Sequence, residues 1–298
     1  MNRRPFLTAR IDADHAPKNC SDHNCVPWWS FTKTALATAA LQLVDRGYLD
    51  LDGQIDDRLY TLRQLLQHRA GVPNYSDLAS YHDAVAHGEK PWGVARMLNQ
   101  VGDNHLDYEP GCGWNYSNVG YYLVRQKIEQ VTSQDIGSAL RQLVFDPLGL
   151  ASVRLAATVE EFARTAWGNR GRYDPGWVYH GLLAGTPGDA VRFLHKLISG
   201  EVLRPDLLAE AMKPHPVGGP WADRPWRKGG YGLGLMIGES SAGTAIGHSG
   251  AGPGSVAAVY HFPDLALPCT VAVFAQGEDR PSDQGLVEQE AVRLAACA

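Results

Sequence analysis

The period of the apolar positions changes along the chain, and each change predicts a different kind of element. Near the start, Phe6 to Ile11 reads as a strand. After an irregular stretch, Ala35, Leu36, Ala39, Ala40, Leu43 and Val44 recur at helical spacing. Their apolar face is too broad for a surface helix, so this segment is expected to be largely buried, with Gly47 as its C-terminal stop. The middle is helical and loop-rich. Thr61-Leu-Arg-Gln64 has capping-box spacing ahead of Leu65-Leu66, Gly71 closes that short helix before a turn at Pro73, and further helices follow Asn118, Ser133 and Thr186. Pro187 directly after Thr186 is a helix-start signal, because proline's missing N–H is unneeded in a first turn. Beyond Gly229 the pattern shortens to β-like runs at 231–237, 244–248, 255–262 and 269–275, separated by Gly, Ser and Pro-Asp turns. These predict an antiparallel sheet. A terminal helix from about residue 284 to residue 296 offers Leu286, Val287, Ala291 and Leu294 to pack on it.

Composition acts mainly by exclusion. A chain of 298 residues, 44% hydrophobic and 20% charged, can bury one large core or two closely packed subdomains. A net charge of −5, with no basic run interleaved with aromatics, argues against a nucleic-acid partner. No apolar run approaches membrane-spanning length. Thr8, Arg10, Asp12 and Asp14 interrupt any apolar secretory core after the opening arginines, so a cytoplasmic location is expected. Five cysteines fit free thiols better than a disulfide framework, with Cys20 and Cys25 the one plausible pair. The segment from Cys20 to Cys25, with His23 inside it and His15 nearby, carries zinc-type ligands. No second cluster completes a set of four, so a polar loop is the preferred reading and no metal is assigned.

Candidate chemistry begins at Ser30-Phe-Thr-Lys33. Positions i and i+3 share a helix face, so the lysine reaches the serine hydroxyl, and the unpaired N–H groups of a helix start favour negative charge on a substrate oxygen. Alone the spacing carries little weight, since about one chain in three of this composition contains it by chance. For Lys33 to act as a base its pKa must fall from about 10.4, by burial or neighbouring groups. Two further clusters supply such partners. Tyr116-Ser-Asn118 stands at a loop–helix junction, where a phenol can relay a proton if a cation such as Lys33 lowers its pKa, and an amide can accept from Lys33 while donating to substrate. His248-Ser249-Gly250 lies on a strand edge, where glycine permits close approach and the Ala251 amide is available as an oxyanion donor opposite that of Ser30.

Together these segments resemble the serine β-lactamase and penicillin-binding superfamily, in the branch that holds class C β-lactamases, DD-peptidases and related esterases. Ser30-Phe-Thr-Lys33 is similar to its nucleophile motif, Tyr116-Ser-Asn118 to its Y-x-N motif, and His248-Ser-Gly250 to the H-x-G form of its third motif. The stretches 41–52, 65–75, 147–150 and 231–234 resemble family signatures as well, so the likeness covers roughly residues 28 to 277.

The resemblance implies an α+β fold of β-lactamase/transpeptidase type, an antiparallel sheet flanked by helices plus an inserted, mainly helical subdomain. Residues 1–55 and 185–298 would build the sheet part and 56–184 the helical part, with the active site between them. It also implies a serine hydrolase without cofactor, an esterase, peptidase, amidase or β-lactamase acting on a small-molecule ester, amide or β-lactam through a Ser30 acyl-enzyme. Ser30, Lys33 and Tyr116 would be catalytic; Asn118, His248, Ser249, Gly250 and Ala251 would bind substrate. The alternative from another class is a non-catalytic, penicillin-recognising binding protein of the same fold, against which the intact Ser30, Lys33 and Tyr116 argue. A nucleophile-elbow reading of Gly247-His-Ser249-Gly-Ala251 fails, because only His261 follows and no acid lies between. The sequence departs from the family pattern in two places. Only 29 residues precede Ser30, which predicts a shortened sheet edge open to a partner subunit and hence a homo-oligomer. His248 stands where a lysine would meet a substrate carboxylate, and at a pKa of about 6.5 it is mostly neutral, which disfavours an acidic substrate.

Overall fold

The computed structural model describes residues 5–12, 17–18, 21, 23–102, 105–168 and 173–297. Strands β1 (Phe6–Ile11), β2 (Pro17–Lys18) and β3 (Val26–Pro27) precede a 3-10 turn at Trp29–Phe31 and helix α1 (Thr32–Asp45). Short helices α2 (Leu62–Leu66), α3 (Ala79–Ala86) and α4 (Val94–Val101) lead to the longer α5 (Asn118–Thr132) and to α6 (Ile136–Leu140). Next come β4 (Arg154–Leu155), α7 (Val159–Ala163), β5 (Leu183–Gly185), α8 (Pro187–Ile198) and α9 (Pro205–Ala211). The chain finishes as β6 (His215–Gly218), β7 (Lys228–Tyr231), β8 (Met236–Ser240), β9 (Gly243–Gly252), β10 (Ser255–Phe262), β11 (Cys269–Gln276) and α10 (Pro281–Ala296).

Among the described residues, eight strands form one sheet in the order β2-β1-β11-β10-β9-β8-β7-β6, and β3, β5 and β4 form a second, small one. The two ends of the chain meet in the large sheet, where Phe6 lies opposite Ala275 and Ile11 opposite Thr270. β11 shows why its sequence reads as a continuous apolar run rather than an alternation. Ala272 and Phe274 join the core that contains α1 and α8, while Val271, Val273 and Ala275 join the core under α10. Helix α1 is buried on nearly every side from Thr32 to Leu41, as its broad apolar face predicts. Below α10, Val287 and Ala291 are buried, whereas Leu286 and Leu294 are only half-buried.

Several local readings hold in detail. Thr61 and Gln64 form a reciprocal capping box on α2, and Thr186 caps α8 by accepting from the Asp189 amide. Three need correction. Helix α2 ends at Leu66, with His68 already at φ +59°, so Gly71 lies beyond its end and does not close it. The second β run extends past residue 248, since β9 continues to Gly252. The run 231–237 is not one strand: β7 ends at Tyr231, the Gly232 amide donates to the Leu235 carbonyl, and β8 starts at Met236. The break is imposed by α1. Gly234 sits at φ +76° with the Thr34 hydroxyl donating to its carbonyl, and a Cβ there would stand 2.2 Å from the Ala37 Cβ. The sheet edge at the N-terminal side is also short, as expected, but β1 is capped there by the two residues of β2. Cys25 carries a free thiol, and Cys20 and His15 lie outside the described residues. No helix among the described residues is long and apolar enough to cross a membrane.

Gly234→Ala is expected to lower the unfolding free energy by about 3 kcal/mol, combining a disfavoured positive φ with overpacking against α1. Urea unfolding measures it, and a loss within experimental error of zero would mean that this turn does not need glycine.

Candidate active site

Ser30 occupies the middle of the 3-10 turn at the head of α1. The preceding Trp29 is held at φ +47°, a conformation that costs a bulky residue about 1–3 kcal/mol. Its surroundings hold it there: the indole Nε1 donates to Ser255 Oγ at 2.8 Å, and the ring packs edge-on against Phe162 with centroids 5.7 Å apart. The turn leaves Ser30 half-buried, with Lys33 one helical turn further in and fully buried.

Three groups surround the Lys33 nitrogen. Asn118 Oδ1 lies 2.7 Å from Nζ, His180 Nε2 3.2 Å and Ser30 Oγ 3.3 Å. A neutral amine has two N–H donors and one lone pair. Donation to Asn118 and His180 uses both hydrogens, and the lone pair then faces the Ser30 hydroxyl. An ammonium would also be satisfied, so burial decides between the two forms. It pulls the Lys33 pKa well below 10.5, and the opposing pull of the Asp279 carboxylate is the smaller effect. The protein therefore meets the requirement that the S-x-x-K spacing imposed.

Asn118 is oriented by Asn74, inside the recognised stretch 65–75, and by Ser76 just beyond it. Its backbone N–H donates to Asn74 Oδ1, its amide nitrogen donates to Ser76 Oγ, and the N-cap of α5 is Ser117, whose hydroxyl accepts from the Gly120 amide. Tyr116 brings its hydroxyl into the enclosed site without completing a hydrogen bond, although Ser30 is near enough to pull its pKa down. Burial outweighs that influence and raises the phenol above its usual range. The expectation of a cation-lowered tyrosine is thus corrected: Lys33 stands 4.8 Å from the centre of the Tyr116 ring, but burial has the larger effect on the phenol.

The third motif lines the opposite wall. β8 and β9 pair no further than Met236 with Gly247, so β9 runs unpaired on that side from His248 to Gly252. At Gly250 a Cβ would stand 2.7 Å from the Trp28 carbonyl oxygen and 3.0 Å from the Ser30 amide nitrogen, so only glycine admits this approach. Gly252 and Ser255 flank the two-residue hairpin, and the alternation of ladder bonds from that pair turns the Ala251 N–H away from β10, toward the free edge. The Ala251 N–H thus lies on the unpaired edge of the strand that Gly250 brings against the Ser30 amide.

His248 and Ser249 are placed differently from expectation. His248 is fully buried, its Nε2 lies 2.8 Å from the Tyr231 hydroxyl, and its Nδ1 meets the Ser249 carbonyl. Nδ1 must then donate and Nε2 accept, which leaves no ring nitrogen for substrate. Burial lowers its pKa to about 3, with the Ser249 bond working in the other direction. The Ser249 side chain points to the far face of the sheet, where its hydroxyl bonds Tyr260 and the buried Glu288, itself held by both Nε and Nη2 of Arg224.

Two histidines carried no role in the sequence reading. His180 has no motif around it and is revealed only by its contact with Lys33. His68 lies within a recognised stretch; its ring stacks 4.2 Å from that of Tyr116, and its Nδ1 accepts from the Ser117 amide. Both are buried, with pKa values pushed well below 6.5 by burial first and by Lys33 second.

The profile of the family described as Beta-lactamase matches residues 10–295. The chain belongs to this family. Its relatives include the lovastatin esterase of Penicillium rubens, 26% identical over 52% of this chain and 46% of that protein. Esterase EstB of Burkholderia gladioli is 27% identical over 55% of this chain and 47% of the relative. The chain thus spans about half the length of these curated relatives. In three dimensions it resembles a D-stereospecific amidohydrolase from Streptomyces sp., with a TM-score of 0.80, 22% identity, and coverage of 98% of this chain and 93% of that one. That likeness establishes the family's fold. Among the described residues, no group of three or more His, Cys, Asp or Glu side chains is placed to hold a metal ion.

Three neutral histidines around one buried amine make the family's site acid-sensitive here. Each has a lower pKa folded than unfolded, so the unfolded chain binds the extra proton first, and stability falls as pH drops below about 6.5. For His248, with a folded value of about 3, the loss between pH 7 and pH 5 is expected to be about 2 kcal/mol. Urea unfolding at the two pH values reads the total. His248→Gln is expected to remove one share of the drop, and an unchanged drop would exclude His248 as a contributor.

Proposed function

We propose that this protein is a serine hydrolase that cleaves an ester or amide through an acyl-enzyme on Ser30. The observation that carries the reading is the Lys33 amine, buried, held by Asn118 and His180, and 3.3 Å from the Ser30 hydroxyl. Lys33 takes the Ser30 proton as the serine oxygen attacks the substrate carbonyl, and the Ser30 and Ala251 amides receive the negative charge on the carbonyl oxygen. The ammonium so formed lies beside the Tyr116 ring and lowers the cost of proton loss from that phenol. Tyr116 gives its proton to the departing oxygen or nitrogen, the carbonyl–leaving-group bond breaks, and Lys33 returns a proton to Tyr116. Water repeats the sequence on the ester of Ser30 and releases the acid. Esterases among the relatives support the same chemistry.

The environment of His248 narrows the substrate. A neutral imidazole with both nitrogens engaged offers no charge to a carboxylate, so uncharged esters and amides are favoured over acidic β-lactams. A non-catalytic binding role leaves the depressed Lys33 pKa without a purpose.

Incubation with an activated short-chain ester is expected to add one acyl mass to the intact protein, absent in Ser30→Ala. Lys33→Ala and Tyr116→Phe are each expected to cut turnover by about a hundredfold or more. Wild-type rates in either variant would remove that residue from the mechanism. Because the base is the free amine, kcat/KM is expected to rise with pH through the depressed Lys33 value and to be level well before pH 10.5. An acid limb still climbing near the unperturbed value of 10.5 would overturn the assignment.

A further inference from the structure

The half of β9 that comes against Ser30 has few contacts to fix it. From His248 to Gly252 it is paired, among the described residues, with β10 alone, because β8 reaches no further along it than Gly247. Two of these five residues are glycines, and Ala251 has only a methyl group to pack. The side chains able to tie this half of the strand are therefore those of His248 and Ser249, which point to opposite faces of the sheet. His248 lies opposite Val259, on the side of α1, and is bonded to the Tyr231 hydroxyl at 2.8 Å. Ser249 lies opposite Ala258, on the side of α10.

The tie on the α10 side ends at Glu288, which has no exposed surface. A carboxylate only accepts, so the Ser249 hydroxyl donates to Glu288 Oε1. Its one hydrogen is then used, and it accepts from the Tyr260 hydroxyl at 2.8 Å. Arg224 donates to both carboxylate oxygens, from Nε to Oε2 at 2.8 Å and from Nη2 to Oε1. The segment that carries Arg224 is itself docked along α10. Gln289 Nε2 donates to the Asp223 carbonyl at 2.9 Å, and Gly285, one turn before Glu288, leaves room for that carbonyl. Such a pair is a poor source of stability, since apolar side chains of similar volume often serve as well or better. What it supplies is a charged anchor of fixed geometry, and the group it holds on β9 is Ser249. The next residue, Gly250, stands against the Ser30 amide, and the one after it carries the Ala251 N–H on the free edge.

We infer that Glu288 is a positioning residue for the proposed reaction: through the Ser249 hydroxyl it fixes the β9 edge from which the Ala251 amide meets the charge of the transition state. The inference rests on the hydrolase reading for what that edge does, while the tie itself is measurable without turnover. Ser249→Ala removes the tie and leaves Glu288 paired with Arg224, so no buried charge is orphaned. With 4-nitrophenyl acetate, kcat is expected to fall about tenfold or more and KM to change less than about twofold, because an oxyanion donor acts in the transition states of both acyl steps rather than on bound substrate. Ser249→Thr keeps the hydroxyl and is expected to hold kcat within about threefold of wild type. Glu288→Met combined with Arg224→Met exchanges the ion pair for apolar side chains, and is expected to show the same kcat loss as Ser249→Ala. Wild-type kcat in Ser249→Ala or in the double variant, or an equal loss in Ser249→Thr, would overturn the proposal.

Amide hydrogen exchange separates the two readings. In Ser249→Ala and in the double variant, the amides of His248, Gly250 and Gly252 are expected to exchange about tenfold or more faster, with those of β11 unchanged. A rise spread evenly over the sheet would mark general destabilisation and overturn the proposal, as would no rise. A local rise in a protein whose wild type turns over no ester would retain the tie and reject the hydrolase. Wild-type turnover with no local rise in either variant would reject the tie and retain the hydrolase.

Discussion

The desolvation of one amine organises this site. Lys33 is fully buried, and the three groups that would accept from an ammonium there, one amide oxygen, one imidazole and one hydroxyl, carry no counter-charge. Burial shifts the nitrogen toward the free amine, the form able to accept a proton from Ser30. The same burial that makes α1 the central helix of the fold thus produces the base. Stability and chemistry draw on one physical effect, and a more solvated helix would lose both.

The same burial governs the surrounding groups. For Tyr116 it prevails over the Ser30 contact, and the side chain remains a phenol, suited to donating rather than accepting. His68, His180 and His248 are likewise uncharged, and each is oriented by a specific partner: the Ser117 amide, Lys33 and Tyr231. Backbone geometry brings the two halves together. Trp29 at positive φ presents Ser30 at the helix head, and Gly250 lets β9 come within a side chain's breadth of it. The strain at Trp29 is held by its hydrogen bond to Ser255 on β10, so the nucleophile's position depends on the packed sheet and not on its own turn.

Much of the fold was legible in the chain because local signals and tertiary demands agreed. Thr61 with Gln64, Thr186 with Pro187, and the strand at Phe6–Ile11 form where their patterns point. The run at 231–237 misled because its alternation suits a strand, yet Gly234 has to bend around Ala37 and accept from Thr34, contacts made some 200 residues away in sequence. At the site, Ser30, Lys33, Tyr116 and Asn118 were identifiable from three ordered motifs and the family resemblance they carry, and they come together around Lys33. His248 was identifiable as a position but not as a role, since its hydrogen-bond partners lie on β7 and in its own backbone. Ser249 faces the wrong way for substrate because alternation along a strand sends neighbours of His248 and Gly250 to the opposite face.

What the sequence alone determined is the set of reactive groups and the elements that carry them, because helical spacing, caps and β periodicity are short-range properties. Whether Lys33 is charged, which nitrogen of His248 carries a hydrogen, and that His180 completes the lysine's partners were decided only by the tertiary structure. A pKa is set by every atom that displaces water from a group, and a tautomer by whichever donor or acceptor stands opposite. For Lys33 those atoms come from residues as distant in the chain as Asn118 and His180, and only folding brings them within 3.2 Å.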